Sequence, residues 1–291
     1  MQSGRSGKDR QEQTCCPICD ADHGQFWAKE YKGNVIVKCI KCGMRYCNPR
    51  LTTESNYEKY GEDYFNLDKI KTHDVISFKN SLFRELKSIE MIRKYLNVEN
   101  PLVLDIGAGF GVFLGVMKIM GYDRLYATDL QSVNSERFNS LGITLFAGEI
   151  QDLDLGMYDV ITCYHVLEHV LNPNEFITNI KNHLTDDGIL HMILPNEGGF
   201  TSQIKSAMSR LKLKGKPFKH LSPGHHLYFY EPATLKKILE KHGFHIVYLK
   251  SRGDNPAGNL VMSLYLKLLD LFDGNKWLEV VARRAPVQAP H

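Results

Sequence analysis

The sequence has no run approaching the roughly 18–20 apolar residues that a helix needs to cross a bilayer, which excludes a helical membrane span. Its opening ten residues, MQSGRSGKDR, are polar and lack the apolar core of a secretory leader, so a cytoplasmic protein is expected. No internal repeat or low-complexity tract interrupts it, which excludes repeat architectures. Charge of one sign is also missing: 36 basic residues stand against 33 acidic ones, a net of +3, too balanced for a general nucleic-acid footprint. What is present is ordinary apolar content, 43% of 291 residues, enough for one large core and a small extra module.

Cysteine is scarce outside one short stretch. Six of the seven lie between Cys15 and Cys47, and Cys163 stands alone. Cys16-Pro-Ile-Cys19 and Cys39-Ile-Lys-Cys42 are two CxxC pairs separated by 19 residues. Each pair can present two thiolates from one tight turn, and two such turns close a tetrahedral, structural Zn²⁺ site with no position left for catalysis. Redox CxxC chemistry or free thiols are the other readings of the pattern. Gly43 suits a turn that requires positive φ. The segment has little apolar content beyond Val35-Ile-Val37, so it needs a staple to fold. Cys15 and Cys47 are left over, and Cys15 could stand in for Cys16.

The remaining chain divides by texture. A disordered tail is expected over 1–14, a zinc ribbon over 15–50, and a helical connector over 51–98. The connector begins with a tyrosine-rich stretch (Tyr57, Tyr60, Tyr64, Phe65). Apolar residues then recur at three and four from Ile76 to Leu96. From residue 99 to 284 strands alternate with helices. Strands are expected over 102–104, 125–128, 143–146, 158–163, 189–194, 244–249 and 277–282. Helices are expected over 112–120, 132–140, 173–184, 232–241 and 260–271, and a short tail over 285–291. The alternation predicts an α/β fold with a mostly parallel sheet covered on both faces.

The first strand runs into Asp105-Ile-Gly107-Ala-Gly109-Phe-Gly111. Such a turn can serve only to pack helix on strand, but its spacing suggests more. Val112 occupies the place of the third glycine of a dinucleotide fingerprint, and Asp105 would repel a pyrophosphate. A carboxylate there suits an ammonium group instead. Asp129, at the end of the next strand, can accept hydrogen bonds from two ribose hydroxyls. Glu149, after the third, can accept from an adenine amino group. An amine, a ribose and an adenine without phosphate describe S-adenosylmethionine (SAM).

The blocks VLDIGAGFGVFL, YATD, FAGEIQDL, YDVITCYHVLEHVLNP and DDGILHMILPN, in this order, resemble the class I SAM-dependent methyltransferases. The resemblance extends to about residue 284. It implies a seven-stranded Rossmann-like sheet with helices on both faces, its last strand antiparallel and the cofactor at the carboxyl edge. It also implies site residues: Asp105, Gly107, Gly109 and Gly111 at the methionine end, with Tyr164 below the sulfonium. Asp129 and Leu130 would lie at the ribose, and Glu149 and Ile150 at the adenine. The run CPIC…CIKCGMRYCNPRLTTESNYEKY…DYF resembles the zinc ribbon preceding methyltransferase domains in bacterial glycan and natural-product pathways, with Cys16, Cys19, Cys39 and Cys42 as ligands.

A lid insertion is expected over 196–230, after the fifth strand. Beyond Glu197 at its start it has no acid, and it carries Lys205, Arg210, Lys212, Lys214, Lys216 and Lys219. It could draw in a phosphorylated or carboxylated acceptor, or form a solvated basic helix. His225 and His226 close it, and related chains place a histidine at the position of His226 facing the site. His226 is therefore the expected base, with a packing role as its alternative and His165 as a further candidate. The SN2 acceptor is expected to be a hydroxyl, or an amine, of a small molecule or glycan. An RNA or protein methyltransferase and an inactive SAM-binding adaptor are the alternatives. His165-Val-Leu-Glu168-His169 also matches an inverted zinc-peptidase motif, although it follows a strand. A quinone-methylating relative uses acids and histidine in this stretch for a divalent metal. The oligomeric state is open.

Overall fold

The computed structural model describes residues 11–22, 24–52, 75–130, 132, 134–253, 260–270 and 272–286. The tyrosine-rich part of the connector, residues 1–10 and residues 287–291 lie outside these. Residues 11 and 12, within the expected disordered tail, form a short strand, β1 (Gln11–Glu12), which pairs antiparallel with β5 (Arg50–Leu51). Between them, β2 (Gly24–Lys29), β3 (Val35–Cys39) and β4 (Arg45–Cys47) make an antiparallel sheet. A helix follows, α1 (Val75–Tyr95), with Ile89 and Ile92 buried.

The main body is built from β6 (Val103–Ile106), α2 (Val112–Ile119), β7 (Leu125–Asp129), α3 (Ser135–Ser140) and β8 (Thr144–Ala147). It continues through β9 (Tyr158–Tyr164), α4 (Pro173–Asn182) and β10 (Leu184–Pro195). The lid contains α5 (Phe200–Arg210) and β11 (Tyr228–Phe229). Last come α6 (Pro232–Lys241), β12 (Phe244–Arg252), α7 (Leu260–Asp270) and β13 (Trp277–Arg284). The strand order is β12-β13-β10-β9-β6-β7-β8, with β13 antiparallel to both neighbours and the other pairings parallel. This is the seven-stranded sheet expected from the sequence. β6 and β9 are neighbours although two strands intervene in the chain. The order reverses there, and α/β sheets open a ligand crevice at the carboxyl ends of such strands.

Local chemistry explains the elements. Apart from Asp105, β6 is apolar, and so is β10 from Ile189 onward apart from His191, as expected of central strands buried on both faces. Pro173 opens α4, and Asn172 caps it by accepting from the Glu175 N–H. The capping box of α6 uses Glu231 and Thr234.

The ribbon is not a separate lobe. Tyr228 of β11 pairs with Tyr46 of β4, and Phe229 with Arg45, so the end of the lid is the fourth strand of the ribbon sheet. Cys16, Val37 and Tyr46 share one buried cluster with Leu104 and Leu190 of the central sheet. Arg45 crosses the same boundary, bonding the Glu231 carboxylate at 2.7 Å and the Glu197 carbonyl at 3.0 Å.

Gly107, Gly109 and Gly111 all have positive φ. A Cβ on Gly111 would lie 2.7 Å from the Phe138 ring, whereas one on Gly109 would meet nothing within 4 Å. Gly111 therefore makes room for α3, and only Gly109 leaves open space. Gly109→Ala should lower stability by about 1–2 kcal/mol through left-handed strain alone. Gly111→Ala should cost clearly more, because overpacking adds about 1–3 kcal/mol. Equal midpoints for the two variants in urea denaturation would remove the packing role.

Candidate cofactor cleft and cysteine cluster

A cleft of about 250 Å³ opens at the carboxyl ends of β6 to β9. Gly107 and Gly109 line it from the β6–α2 turn, Asp129 and Leu130 from the end of β7, and Glu149 and Ile150 from beyond β8. Tyr164, His165 and His169 form the wall after β9. The turn is tied to β7: the N–H groups of Gly107 and Ala108 donate to the Thr128 carbonyl at 2.8 and 3.0 Å. The Gly109 N–H donates to Asp129 Oδ2 at 2.9 Å, which fixes that carboxylate at the mouth. Gln151 Nε2 donates to Glu149 Oε2.

Two of the expected cofactor residues are not on the wall. Gly111 lies behind the turn, against Phe138. Asp105 is buried beneath it, accepting from Thr162 Oγ1 at 2.6 Å. Burial pushes its carboxyl up to about 7; the Glu85 and Asp129 charges add to this and the Thr162 bond opposes it.

His165 and Glu168 form the most strained part of the cleft. His165 has φ 59°, unusual for a residue with a Cβ. Its N–H donates to the Ile193 carbonyl at 2.7 Å, and its ring meets Trp277 at 4.5 Å between centroids. Nδ1 lies 3.6 Å from Glu168 Oε1, and His169 Nε2 lies 3.8 Å from the same oxygen. Glu168 is buried, and neither carboxylate oxygen has a hydrogen-bond partner. Burial pushes its carboxyl upward, but the imidazoles of His165, His169 and His226 outweigh it and hold it below the usual range.

His226 is not on the cleft wall. Its ring packs edge-on against His169, 4.8 Å between centroids. Burial, and then the neighbouring His169, pull its pKa down to about 4. The His225 carbonyl accepts from His169 Nδ1 at 2.8 Å, so His169 Nε2 carries no proton when the ring is neutral. Glu168, His169 and His226 offer ligand atoms within 4.8 Å of one another, close enough for one divalent cation to join. Residues 165–169 form turns and no helix, so the two histidines lack the helical placement of a zinc peptidase. None of the lid's basic residues lines the cleft.

A buried polar chain starts at the cleft floor. Tyr164 Oη and His191 Nδ1 are 2.8 Å apart, and His191 Nε2 and Glu279 Oε1 3.2 Å. Arg252 Nη1 donates to Glu279 at 2.7 Å and to Ser88 Oγ of α1 at 3.1 Å. Sequence reasoning missed His191, Glu279 and Arg252. The signal was there: a histidine within ILHMILP and a glutamate within WLEVVA interrupt apolar strands.

In the ribbon, Cys16 and Cys42 sulfurs are 3.3 Å apart, Cys19 and Cys39 3.4 Å, and all four lie within 4.8 Å. A disulfide needs about 2.05 Å, whereas Zn–S bonds of about 2.3 Å put tetrahedral sulfurs about 3.8 Å apart, so the donor set fits zinc. The two knuckles are alike: Asp20 N–H donates to the Cys16 carbonyl, and Gly43 N–H to the Cys39 carbonyl. Cys15 is exposed, and Cys47 is buried near the His226 carbonyl, both outside the cluster.

This strand order, with its cleft at the reversal point, defines a class I SAM-dependent methyltransferase fold. A family model described as a methyltransferase domain matches residues 81–249, over half of the chain, and the chain belongs to that family. It is 32% identical over 180 residues to the ubiquinone biosynthesis O-methyltransferase of Rickettsia conorii, a match covering 56% of this chain and 62% of that protein. The Rickettsia prowazekii protein of the same name is 31% identical over 109 residues, covering 35% of this chain and 43% of that one. The chain thus spans about half the length of the curated relatives it matches. A solved 1,6-didemethyltoxoflavin N1-methyltransferase from Burkholderia thailandensis, bound to 1,6-didemethyltoxoflavin and S-adenosylhomocysteine, shares the fold. Its TM-score is 0.54 at 15% identity, over 89% of this chain and 100% of that one.

Two outcomes are expected. Protein purified without chelator should contain one zinc per chain, and Cys39→Ser should abolish it. Because the ribbon shares the central core, stripping the metal should also make the chain protease-sensitive beyond residue 50. Metal-free wild type with unchanged protease resistance would end the zinc assignment. Asp105 gives a pH signature. Its folded pKa, about 7, exceeds the unfolded value of about 3.9, so the native state holds the proton longer. Its stabilising contribution is complete below pH ~4 and is lost as pH rises to ~7. The stability of Asp105→Asn relative to wild type should therefore climb between those values and then level off; parallel curves would refute the buried acid.

Proposed function

We propose that the protein transfers a methyl group from SAM to a hydroxyl of a small-molecule acceptor. The observation that carries this reading is the cleft at the carboxyl ends of β6 to β9 with the Asp129 and Glu149 carboxylates on its wall, acids suited to ribose hydroxyls and an adenine amino group, above the glycine turn that covers Asp105. The relatives' name, ubiquinone biosynthesis O-methyltransferase, supports oxygen as the nucleophile.

The sulfonium is already a strong electrophile, so the protein has to align the acceptor and take its proton. SAM would bind with its methyl toward Tyr164 and His165. As the acceptor oxygen attacks, the S–CH₃ bond breaks, S-adenosylhomocysteine leaves and a base takes the hydroxyl proton. We assign that role to His165, which is on the cleft wall, rather than to His226, which is off it and whose depressed pKa makes a weak base. The Glu168 carboxylate would stabilise the imidazolium formed at His165. The acceptor is assigned no anionic group, because the basic lid residues lie off the cleft.

Calorimetry with S-adenosylhomocysteine on Asp129→Ala should show affinity about tenfold weaker or more, since a charged hydrogen bond is worth about 1.5–3 kcal/mol. With hydroxylated small molecules as acceptors, His165→Asn should cut S-adenosylhomocysteine release about 10²–10⁴-fold with cofactor affinity nearly intact. A loss of that size in His226→Asn, with His165→Asn active, would return the role to His226. Unchanged affinity in Asp129→Ala would sink the cofactor assignment.

A further inference from the structure

Helix α5 is inverted. It turns small polar side chains inward and large apolar ones outward. Ser206 and Ser209 are buried, with the Ser206 hydroxyl against His220 Nε2 at 3.1 Å and the Ser209 hydroxyl accepting from the Phe218 N–H at 3.0 Å. Phe200, Ile204 and Met208 face solvent instead, followed by Leu211 and Leu213, 69% and 66% exposed. A helix that only covers a core does the opposite.

Helix α7 continues the pattern. Met262, Tyr265, Leu268 and Phe272 recur at three or four and are exposed, Phe272 by 78%. The two helices are joined at one end: the Phe200 N–H donates to the Gly274 carbonyl at 2.9 Å, and the Gly274 N–H to the Leu269 carbonyl at 2.8 Å. Ten of the twenty large exposed apolar side chains among the described residues fall within 200–213 and 262–272, so the exposure is concentrated on these two segments.

Charge selects the occupant. From Gly198 to Tyr230 there is no acid, and lysines alternate with leucines in Leu211-Lys-Leu-Lys214. Lys205, Lys212, Lys216 and, on α7, Lys267 are exposed around the apolar stripe. A second copy docking through α5 and the 211–214 turn by a two-fold axis would set lysine against lysine. An anionic surface that also accepts apolar side chains meets both features. Among the described residues no helix is long and apolar enough to cross a membrane, so the contact is peripheral.

We infer that α5, the 211–214 turn and α7 form a peripheral docking face for an anionic lipid bilayer. The apolar side chains enter the headgroup–acyl boundary, and the lysines pair with lipid phosphates. The inference goes beyond the proposed methyl transfer and does not depend on it, since none of these residues lines the cleft.

The test is co-sedimentation of the full chain with phosphatidylcholine vesicles, with and without phosphatidylglycerol. Binding is expected on the anionic vesicles, weakened by salt and at least tenfold weaker on phosphatidylcholine alone. The triple variant Phe200→Ser, Leu211→Ser, Leu213→Ser and the double variant Lys212→Ser, Lys214→Ser should each weaken binding about tenfold or more. Both should keep the wild-type melting temperature and affinity for S-adenosylhomocysteine. No vesicle binding by wild type overturns the inference. So does a sedimentation-velocity dimer that the apolar triple variant dissolves, which would make the face an interface between copies. Anionic binding equally strong to an oligonucleotide and untouched by the apolar variant would also overturn it, leaving charge alone.

Discussion

Everything around the cleft depends on where the chain passes through residues 227 and 228. The Leu227 N–H donates to the Glu168 carbonyl at 2.7 Å, and the Leu227 carbonyl accepts from the Cys47 N–H at 2.8 Å. One residue thus bonds the turn after β9 on one side and the ribbon on the other. Tyr228 adds the β4 pairing, and its hydroxyl donates to the Leu171 carbonyl at 3.0 Å. The Leu227 bonds and the β4 pairing are main-chain bonds between segments distant in sequence, so no single side chain carries the junction. The ribbon consequently acts as a brace for the cleft wall. Its four sulfurs, none of which lines the cleft, help decide whether residues 165–169 keep their strained path.

Electrostatics at that wall is arranged by crowding. A carboxylate without hydrogen-bond donors is normally driven toward its neutral form by burial. Glu168 escapes because the imidazoles of His165, His169 and His226 surround it. Asp105, a few residues away in space from other acids and without a basic partner, goes the other way. Two buried acids are thus shifted in opposite directions because of their neighbours, and a cationic ligand over the glycine turn would bring Asp105 toward its ionised form.

Much of this was legible in the sequence, and the reasons are local. The sheet strands could be read because each is a short apolar run bounded by glycine, proline or polar residues. The glycine turn and the acids at 129 and 149 could be read because their spacing follows the strand–helix unit. The two CxxC pairs could be read because metal chemistry fixes their interval. Long-range packing could not. Nothing local says that Tyr228 will pair with Tyr46, that Gly111 serves Phe138, or that His226 lies behind His169. For the lid the sequence offered a solvated basic helix as one of two readings, but not the apolar residues on the exposed face of α5, because its periodicity points away from the core. Asp105 and the lid's basic run show the opposite hazard: the residue types fit a ligand, but the cleft wall does not include them.

The polar chain from Tyr164 through His191, Glu279 and Arg252 to Ser88 bears on how this molecule can change over evolutionary time. Each member satisfies the next in a largely buried row, so a single exchange strands a neighbour. Replacing the group together by apolar residues of similar volume strands nothing. Descendants should therefore inherit these positions as a block or lose them as a block, and a lineage passing between the two arrangements crosses a stretch of less stable intermediates. Family trees would show the positions moving in step, although the residues come from five separate elements, β9, β10, β12, β13 and α1.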